Sequence, residues 1–582
     1  LYPTIRFSPS QFVRTFFQFA VLTSFGFIAA CGGGGGGGGT PIDTTVPVIT
    51  VKPIVTNVAK PELSGTVDDP AATISVTVDG NAYAATNQGD TWVLPEGAIS
   101  PDLVNGTYDV VAKATNAVGN TGTDATKDEV QIIELLPDLY IKASNTEQTA
   151  SVPDSEIGRD NFGSTVAVSR DGKTMAVGAP LEDGDGISQA SNDLLNSGAV
   201  YVYEQTDGAW AQQAYLKAQS PGEFDQFGSA LALSGDGNTL AVGAFGEDGV
   251  AKSSGTVYVF TRAVGGWELQ ESIQSGAGQV DGSFGISVAL NLDGNYLAVG
   301  ATGEETVYIF NRVAGAWLPQ DNAVQASNSE VGDQFGIAVA LSDSGDALIV
   351  GANFEDGNGS SEADNSAPGS GAVYTYSRSG ATWTQDEYLK PSSPSAGSQF
   401  GSALSLNAAA DLLVIGAPLE GATGAGQEGA AYIFGKSTAW SEQASLAASN
   451  RDPGDQFGGA VAITADGAAI FVGARLEDSR AVRLNGNQFN EYNDPLTGGT
   501  AFNDADSGAV YEFRKTSLWQ QKNYYKGFNT GQGDKFGSAV AVDNDGSIVV
   551  IGASFEDGTG TGVDAVPSDE STLQAGAVYL FR

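Results

Sequence analysis

Three short phrases recur in fixed order along most of this chain. Phe-Gly pairs begin at residues 162, 227, 284, 335, 400, 457 and 536, and Gly-Ala pairs at 178, 243, 300, 351, 416, 473 and 552. A third phrase, Gly-Ala-Val-Tyr in its commonest form, begins at 198, 255, 305, 371, 429, 508 and 576. Self-similarity at periods of about 20–50 residues marks repeat architectures, in which one supersecondary unit is stacked many times. Each unit here reads as four short strands. Phe227 to Leu233 alternates small and large residues, Thr239 to Ala244 is a second strand and Thr256 to Phe260 a third. Ala214 to Ala218 shows the fourth. Asp-Gly or similar polar turns join the first two strands. Small residues beside Phe-Gly suit a crowded axis where strands converge, and radial closure protects sheet edges.

Tryptophan placement tests the closure. Trp210, Trp267, Trp317, Trp383, Trp440 and Trp519 each follow a third strand, and Trp92 stands outside the repeats. The seventh unit has no such Trp. Leu139 to Ala143 (LYIKA) parallels Tyr215-Leu216-Lys217-Ala218, so it is expected to supply the missing fourth strand and lock the ring. The units differ in length almost wholly in one place. The connection between Gly-Ala and the third phrase has 18, 10, 3, 18, 11, 33 and 22 residues. Without it the first six units repeat at 46 to 48 residues. Strands one and two form a hairpin, so this connection shares a face with the segments that precede Phe-Gly. Diversified loops on a rigid frame are where binding usually sits. The longest, Arg475 to Ser507, carries aromatics among amides from Asn487 to Asn493, suited to stacking on a sugar or touching a protein.

The ordered phrases resemble FG-GAP repeats, the units of the integrin alpha-chain propeller and of many bacterial surface proteins. The resemblance covers nearly all of 138–582 and implies a seven-bladed β-propeller that binds ligand on the variable-loop face. Residues 43–135 form a separate block. Ile74, Val76 and Val78 alternate with polar residues before Asp79-Gly80, and Tyr108, Val110, Ala112 and Ala114 alternate after Asn105-Gly106. This block resembles bacterial Ig-like domains, with Asn116 where some relatives have Asp. The expected fold class is therefore all-β: an Ig-like β-sandwich followed by a seven-bladed β-propeller.

At the start, Arg6 and Arg14 precede an uncharged run of 15 residues, Phe16 to Ala30, too short for a comfortable spanning helix. It ends in Ile28-Ala29-Ala30-Cys31, which resembles the lipobox of bacterial lipoproteins. That resemblance implies a signal peptide over 1–31, lipidation at Cys31 and, with Gly32 next, sorting to an outer membrane. Residues 32–42, including eight consecutive glycines, read as a flexible linker.

Composition narrows the partners. The chain of 582 residues has 69 acidic and 27 basic residues, a net charge of -42, which disfavours nucleic acid and anionic headgroups. The membrane is reached through the lipid anchor only. With no His, Ser-His, Cys-His and His-zinc chemistry are excluded. Calcium remains open, because carboxylates and loop carbonyls suit it. The turns between strands one and two, where the family resemblance implies calcium loops, lack the full Asp-x-Asp-x-Asp-Gly set and read as plain hairpins. The other acids follow a pattern. Every Gly-Ala is followed by x-x-Glu, and five units add Asp next to it and Asp two residues before Phe. These are Asp160, Glu182 and Asp183; Asp225, Glu247 and Asp248; Asp333, Glu355 and Asp356; Asp455, Glu477 and Asp478; and Asp534, Glu556 and Asp557. Either they share a Ca²⁺ within each blade or each Asp caps its own turn. No catalytic residue is assigned. The leading reading is a non-enzymatic adhesion module of the cell envelope that binds a protein or glycan outside the cell. A carboxylate-based glycan-active enzyme and a scaffold subunit of an envelope complex are the alternatives.

Overall fold

The computed structural model describes residues 45–56, 60–95, 97–101, 103, 106–127, 129–132, 139–145, 159–186, 191–276, 278–320, 323–421, 426–479, 484, 506–515, 518–529, 531–558, 560–565 and 574–582. Cys31, the expected signal segment and linker, and the Asn487–Asn493 aromatics lie outside them. The chain divides into two compact units, 1–134 and 135–582. No helix among the described residues is long and apolar enough to cross a membrane.

Among the described residues, the first unit has two sheets. One is six-stranded, in the order Leu63–Thr66, Thr91–Leu94, Asn81–Asn87, Thr73–Val78, Val110–Thr115, Thr121–Asp124. The other joins Ile54–Thr56, Val130–Ile132 and Gly106–Tyr108. Ile74, Val76 and Val78 are buried while their polar neighbours face outward, the period-two pattern of a strand with one apolar face. Asp79 and Gly80 both take left-handed φ (47° and 75°), which a tight hairpin of matching twist requires. Trp92 is fully buried, and its indole N–H donates to the Thr50 carbonyl at 2.9 Å. Asn116 accepts the Val118 and Asn120 N–H groups and donates its own amide to the Thr45 carbonyl. An aspartate has no N–H to make that last bond.

Among the described residues, the second unit folds into seven sheets, each with four principal antiparallel strands. In blade 2 these are Ala230–Leu233, Thr239–Ala244, Thr256–Ala263 and Gly266–Ile273. Strands three and four run further than the sequence pattern indicates. The fourth strand of blade 1 is Ala209–Leu216, so Trp210 lies within it rather than before it. The last blade is made of Phe536–Val542, Val549–Ala553, Ala577–Phe581 and then Leu139–Lys142, with Leu139 opposite Leu580 and Ile141 opposite Val578. The LYIKA segment thus completes the final blade from the other end of the repeat region.

Aromatic packing holds each blade together. Phe227 is fully buried and meets Tyr258 and Phe260 of the third strand edge-on, at ring separations of 5.4 and 6.1 Å. Successive blades touch backbone to backbone. A Cβ built on Gly178 of blade 1 would lie 2.2 Å from the carbonyl oxygen of Gly228 in blade 2. The equivalent distance is 2.0 Å from Gly416 to Gly458, and 1.8 Å from Gly552 of the last blade to Gly163 of the first. The Gly-Ala and Phe-Gly glycines therefore face one another around the whole ring, because no side chain fits between the strands there. The first strands of all seven blades line a central channel with a cavity of about 300 Å³, walled by Ala, Val, Leu and Ile side chains and Ser405. Where the hairpin turns converge, Arg170 of blade 1 reaches Asp343 of blade 4 in a two-pronged ion pair with both N–O distances at 2.6 Å.

The glycine contact yields a direct test. Gly416→Ala is expected to lower the urea unfolding midpoint by the equivalent of about 1–3 kcal/mol or more, the cost of overpacking. Gly265→Ala, where an added Cβ meets nothing within 4 Å, should stay within about 0.5 kcal/mol of the parent.

Candidate functional site

The first strand begins and the second strand ends on the variable-loop face, and the acids singled out by the repeat lie there. The glutamates have a partner that was not anticipated. In four blades a lysine at the end of strand four of the same blade points its ammonium at the glutamate. The pairs are Lys217–Glu182 (2.7 Å), Lys390–Glu355 (2.6 Å), Lys526–Glu477 (2.8 Å) and Lys142–Glu556 (2.5 Å). All eight side chains are buried. Burial pulls the Lys217, Lys390 and Lys526 ammoniums below the ordinary lysine range, against the raising effect of the paired glutamates.

The preceding blade completes each arrangement. Asn145, Asn328, Asn450 and Asn529 donate side-chain N–H to Glu182, Glu355, Glu477 and Glu556. Their amide oxygens accept the hydroxyls of Tyr201, Tyr374, Tyr511 and Tyr579 on the third strand of the glutamate's blade. A readable signal exists for this. Tyr-x-Lys recurs at 140–142, 215–217, 388–390 and 524–526, and each Asn stands three residues past the lysine position of the blade before. Lysine and asparagine are present together in blades 1, 4, 6 and 7.

The aspartates serve the backbone. Asp225, Asp333, Asp455 and Asp534 each accept the N–H three residues earlier, at 2.5, 3.1, 2.7 and 2.7 Å. The second aspartates close the variable loops. Asp183, Asp248, Asp356, Asp478 and Asp557 accept the N–H of Asn196, Ser253, Gly369, Asp506 and Gln574, at 2.7 to 2.9 Å. One carboxylate thus fastens the returning chain whatever the loop length, as in a side-chain-capped turn. Blade 3 has almost no loop, and Glu305 works differently. It accepts the N–H groups of Gly332, Gln334 and Phe335. In blade 2 the corresponding Phe227 N–H goes to the Ser197 carbonyl of blade 1, at 3.1 Å.

Thirteen of these fifteen candidates are therefore arranged as acceptors of backbone or ammonium donors. Among the described residues, no group of three or more carboxylates is gathered as a metal site. Of the complete acidic trios, only blade 2 has no lysine at the equivalent position, where Gln274 stands. Both oxygens of Glu247 there accept from the Tyr258 hydroxyl, at 2.8 and 2.9 Å. Burial, reinforced by Asp225, pushes Glu247 up to about 7. Burial also raises Asp333 to about 6 and Asp455 to about 8, with Glu477 adding to the latter and the N–H of Asp452 opposing it.

Comparison with known proteins fits this architecture. The FG-GAP repeat model matches residues 148–203, 210–260, 383–434 and 440–489, and the bacterial Ig-like domain model matches 52–132. The chain carries FG-GAP repeats and a bacterial Ig-like domain. Similar solved structures include the Cps50 (Swd1) beta-propeller domain of Myceliophteria thermophila, 10% identical, with TM-score 0.42 over 72% of this chain and 95% of that one. A periplasmic gluconolactonase of Pseudomonas aeruginosa, 13% identical, aligns with TM-score 0.37 over 79% of this chain and 97% of its own. The search of curated proteins found no match.

Two measurements check the charge assignments. Asp455 holds its proton to about pH 8 when folded and releases it near its ordinary value of 3.8 when unfolded. Its contribution therefore grows as pH falls from about 8 towards 4 and is complete below that. Thermal melts should show Asp455→Asn flattening the pH dependence across this window. Lys526→Met, which strands the buried Glu477 carboxylate, should cost about 3–5 kcal/mol in chemical unfolding, while Lys173→Met on an exposed turn is expected to cost under about 0.5 kcal/mol.

Proposed function

We propose that this chain, built from an Ig-like domain and an FG-GAP propeller, is an extracellular binding module held at the cell envelope through lipid on Cys31. In this reading residues 32–42 are the tether, the Ig-like domain is a spacer, and the propeller presents its variable-loop face to a protein or glycan. FG-GAP repeats on a propeller fit a binding module. The observation that carries the reading is the loop base. In five blades the same aspartate closes a loop, and those five loops range from 10 to 33 residues while the frame beneath stays uniform. Such a frame lets loop sequence diversify without disturbing the strands, which is the physical requirement for recognition. The hydrolase alternative draws less support. Four of the seven glutamates are buried against lysines, so their carboxylates are committed to ion pairs rather than free for proton transfer.

A glycan and matrix-protein array probed with the full chain, with and without a chelator, tests the reading. Retained signal on a subset of ligands, unchanged by chelation, is expected. Cleavage of arrayed glycans would favour the enzyme, and co-purified envelope proteins without array signal would favour a scaffold. A silent array with no such partners would overturn the binding reading.

A further inference from the structure

The repeat makes fourteen rim positions on the variable-loop face equivalent: the residue after each Gly-Ala and the residue before each Phe-Gly. Twelve of them are uncharged. The other two are Arg475, from blade 6, and Lys535, from blade 7. They are neighbours. The Arg475 carbonyl oxygen and the backbone nitrogen of Phe536, the residue after Lys535, both crowd the Cβ position of Gly508, at 2.9 and 2.6 Å. In a chain with 69 acidic and 27 basic residues, two adjacent cations at equivalent positions are unexpected on charge grounds.

Their contacts leave both charges available. Arg475 is exposed as a residue, although burial around its guanidinium lowers it from its ordinary value, and its Nε donates to the side-chain oxygen of Gln456 at 2.8 Å. The Lys535 ammonium sits 3.6 Å from the centre of the Phe555 ring. Among the described residues, neither is in a salt bridge with a carboxylate. Burial and the Arg475 charge hold the Lys535 ammonium below its ordinary range, and Asp506 opposes this only in part. A guanidinium offers paired N–H donors that match a carboxylate, and a second cation beside it strengthens the hold.

We propose that Arg475 and Lys535 form an anion subsite on the loop face, and that it takes the carboxylate of an acidic saccharide. The rim as a whole, with Gln456 alone of its amides in contact with Arg475, favours a sugar over an acidic peptide. Five of the seven residues before Phe-Gly are amides, Asn161, Gln226, Gln334, Gln399 and Gln456, and amides both donate to and accept from hydroxyls. The net charge of -42 does not forbid this, because at physiological salt fields between exposed charges fade over about 8 Å and the local pair dominates. The inference rests on the loop face being the binding face.

Calorimetry on the full chain decides it, with four probes: a galacturonate oligomer, its methyl ester, a polyglutamate peptide and inorganic phosphate. The acid oligomer should bind, more weakly as salt rises, and esterification should weaken it at least tenfold. Arg475→Gln and Lys535→Gln should each lose about tenfold, while Lys535→Arg and the distant Lys173→Gln keep binding and report intact folding. Equal binding of the ester, or no loss in either glutamine variant, would overturn the subsite. Tighter binding of polyglutamate would overturn the saccharide class, as would phosphate binding as well as the oligomer. No uronate binding alongside a positive array would overturn the subsite while leaving the binding-module reading standing.

Discussion

Everything in the propeller depends on a contact without side chains. At each junction the glycine of Gly-Ala lies against the glycine of the next Phe-Gly. A Cβ at the first would fall 1.8 to 2.2 Å from the carbonyl oxygen of the second. That approach lets inner strands crowd the axis and brings the following Phe N–H within reach of the loop base before it. The phenylalanine then plugs its blade against two third-strand aromatics. The last junction, Gly552 against Gly163, uses the same contact as the others, so ring closure needs no special interface.

The buried charges add order to this ring. A lysine–glutamate pair removed from water gains little over a well-packed apolar pair, but leaving one partner alone is strongly unfavourable. The penalty falls on any arrangement that separates Lys217 from Glu182 or Lys526 from Glu477. The asparagines extend the coupling between blades. The closing segment carries both devices: Lys142 pairs with Glu556 of the last blade, and Asn145 donates to Glu182 of the first. One short stretch is thereby tied on both sides of the seam.

Much of this was legible beforehand. Blade number, strand order, the variable connection and the closing LYIKA strand all follow from phrases at regular spacing, because each repeats a steric demand that only certain residues meet. The acids were found, and turn capping, one of the two tasks open to the aspartates, matches the backbone N–H groups they accept. A shared Ca²⁺ was the other way to relieve three negative charges, and the lysine partners of the glutamates were not foreseen. In four of those blades the relief comes from a lysine roughly 30 to 50 residues onward in blades 1, 4 and 6, and over 400 residues earlier in the last. The Tyr-x-Lys signal was visible at 215–217 and 140–142, but only as strand grammar. The strand ends were also misjudged, since the third and fourth strands continue past their apolar residues to a polar hairpin at the Trp.

By itself the sequence determined the all-β class, two separate units, seven blades and the face on which variation collects. These are consequences of local periodicity and of glycine placement, which act through neighbouring residues. Only the tertiary structure decided what each charged group touches. Glu182 and Lys217 come from blade 1 and Asn145 from blade 7, while Arg475 and Lys535 come from blades 6 and 7. Electrostatic partnership depends on distance in space and exclusion of water, and radial closure sets both by bringing together segments that the chain keeps far apart.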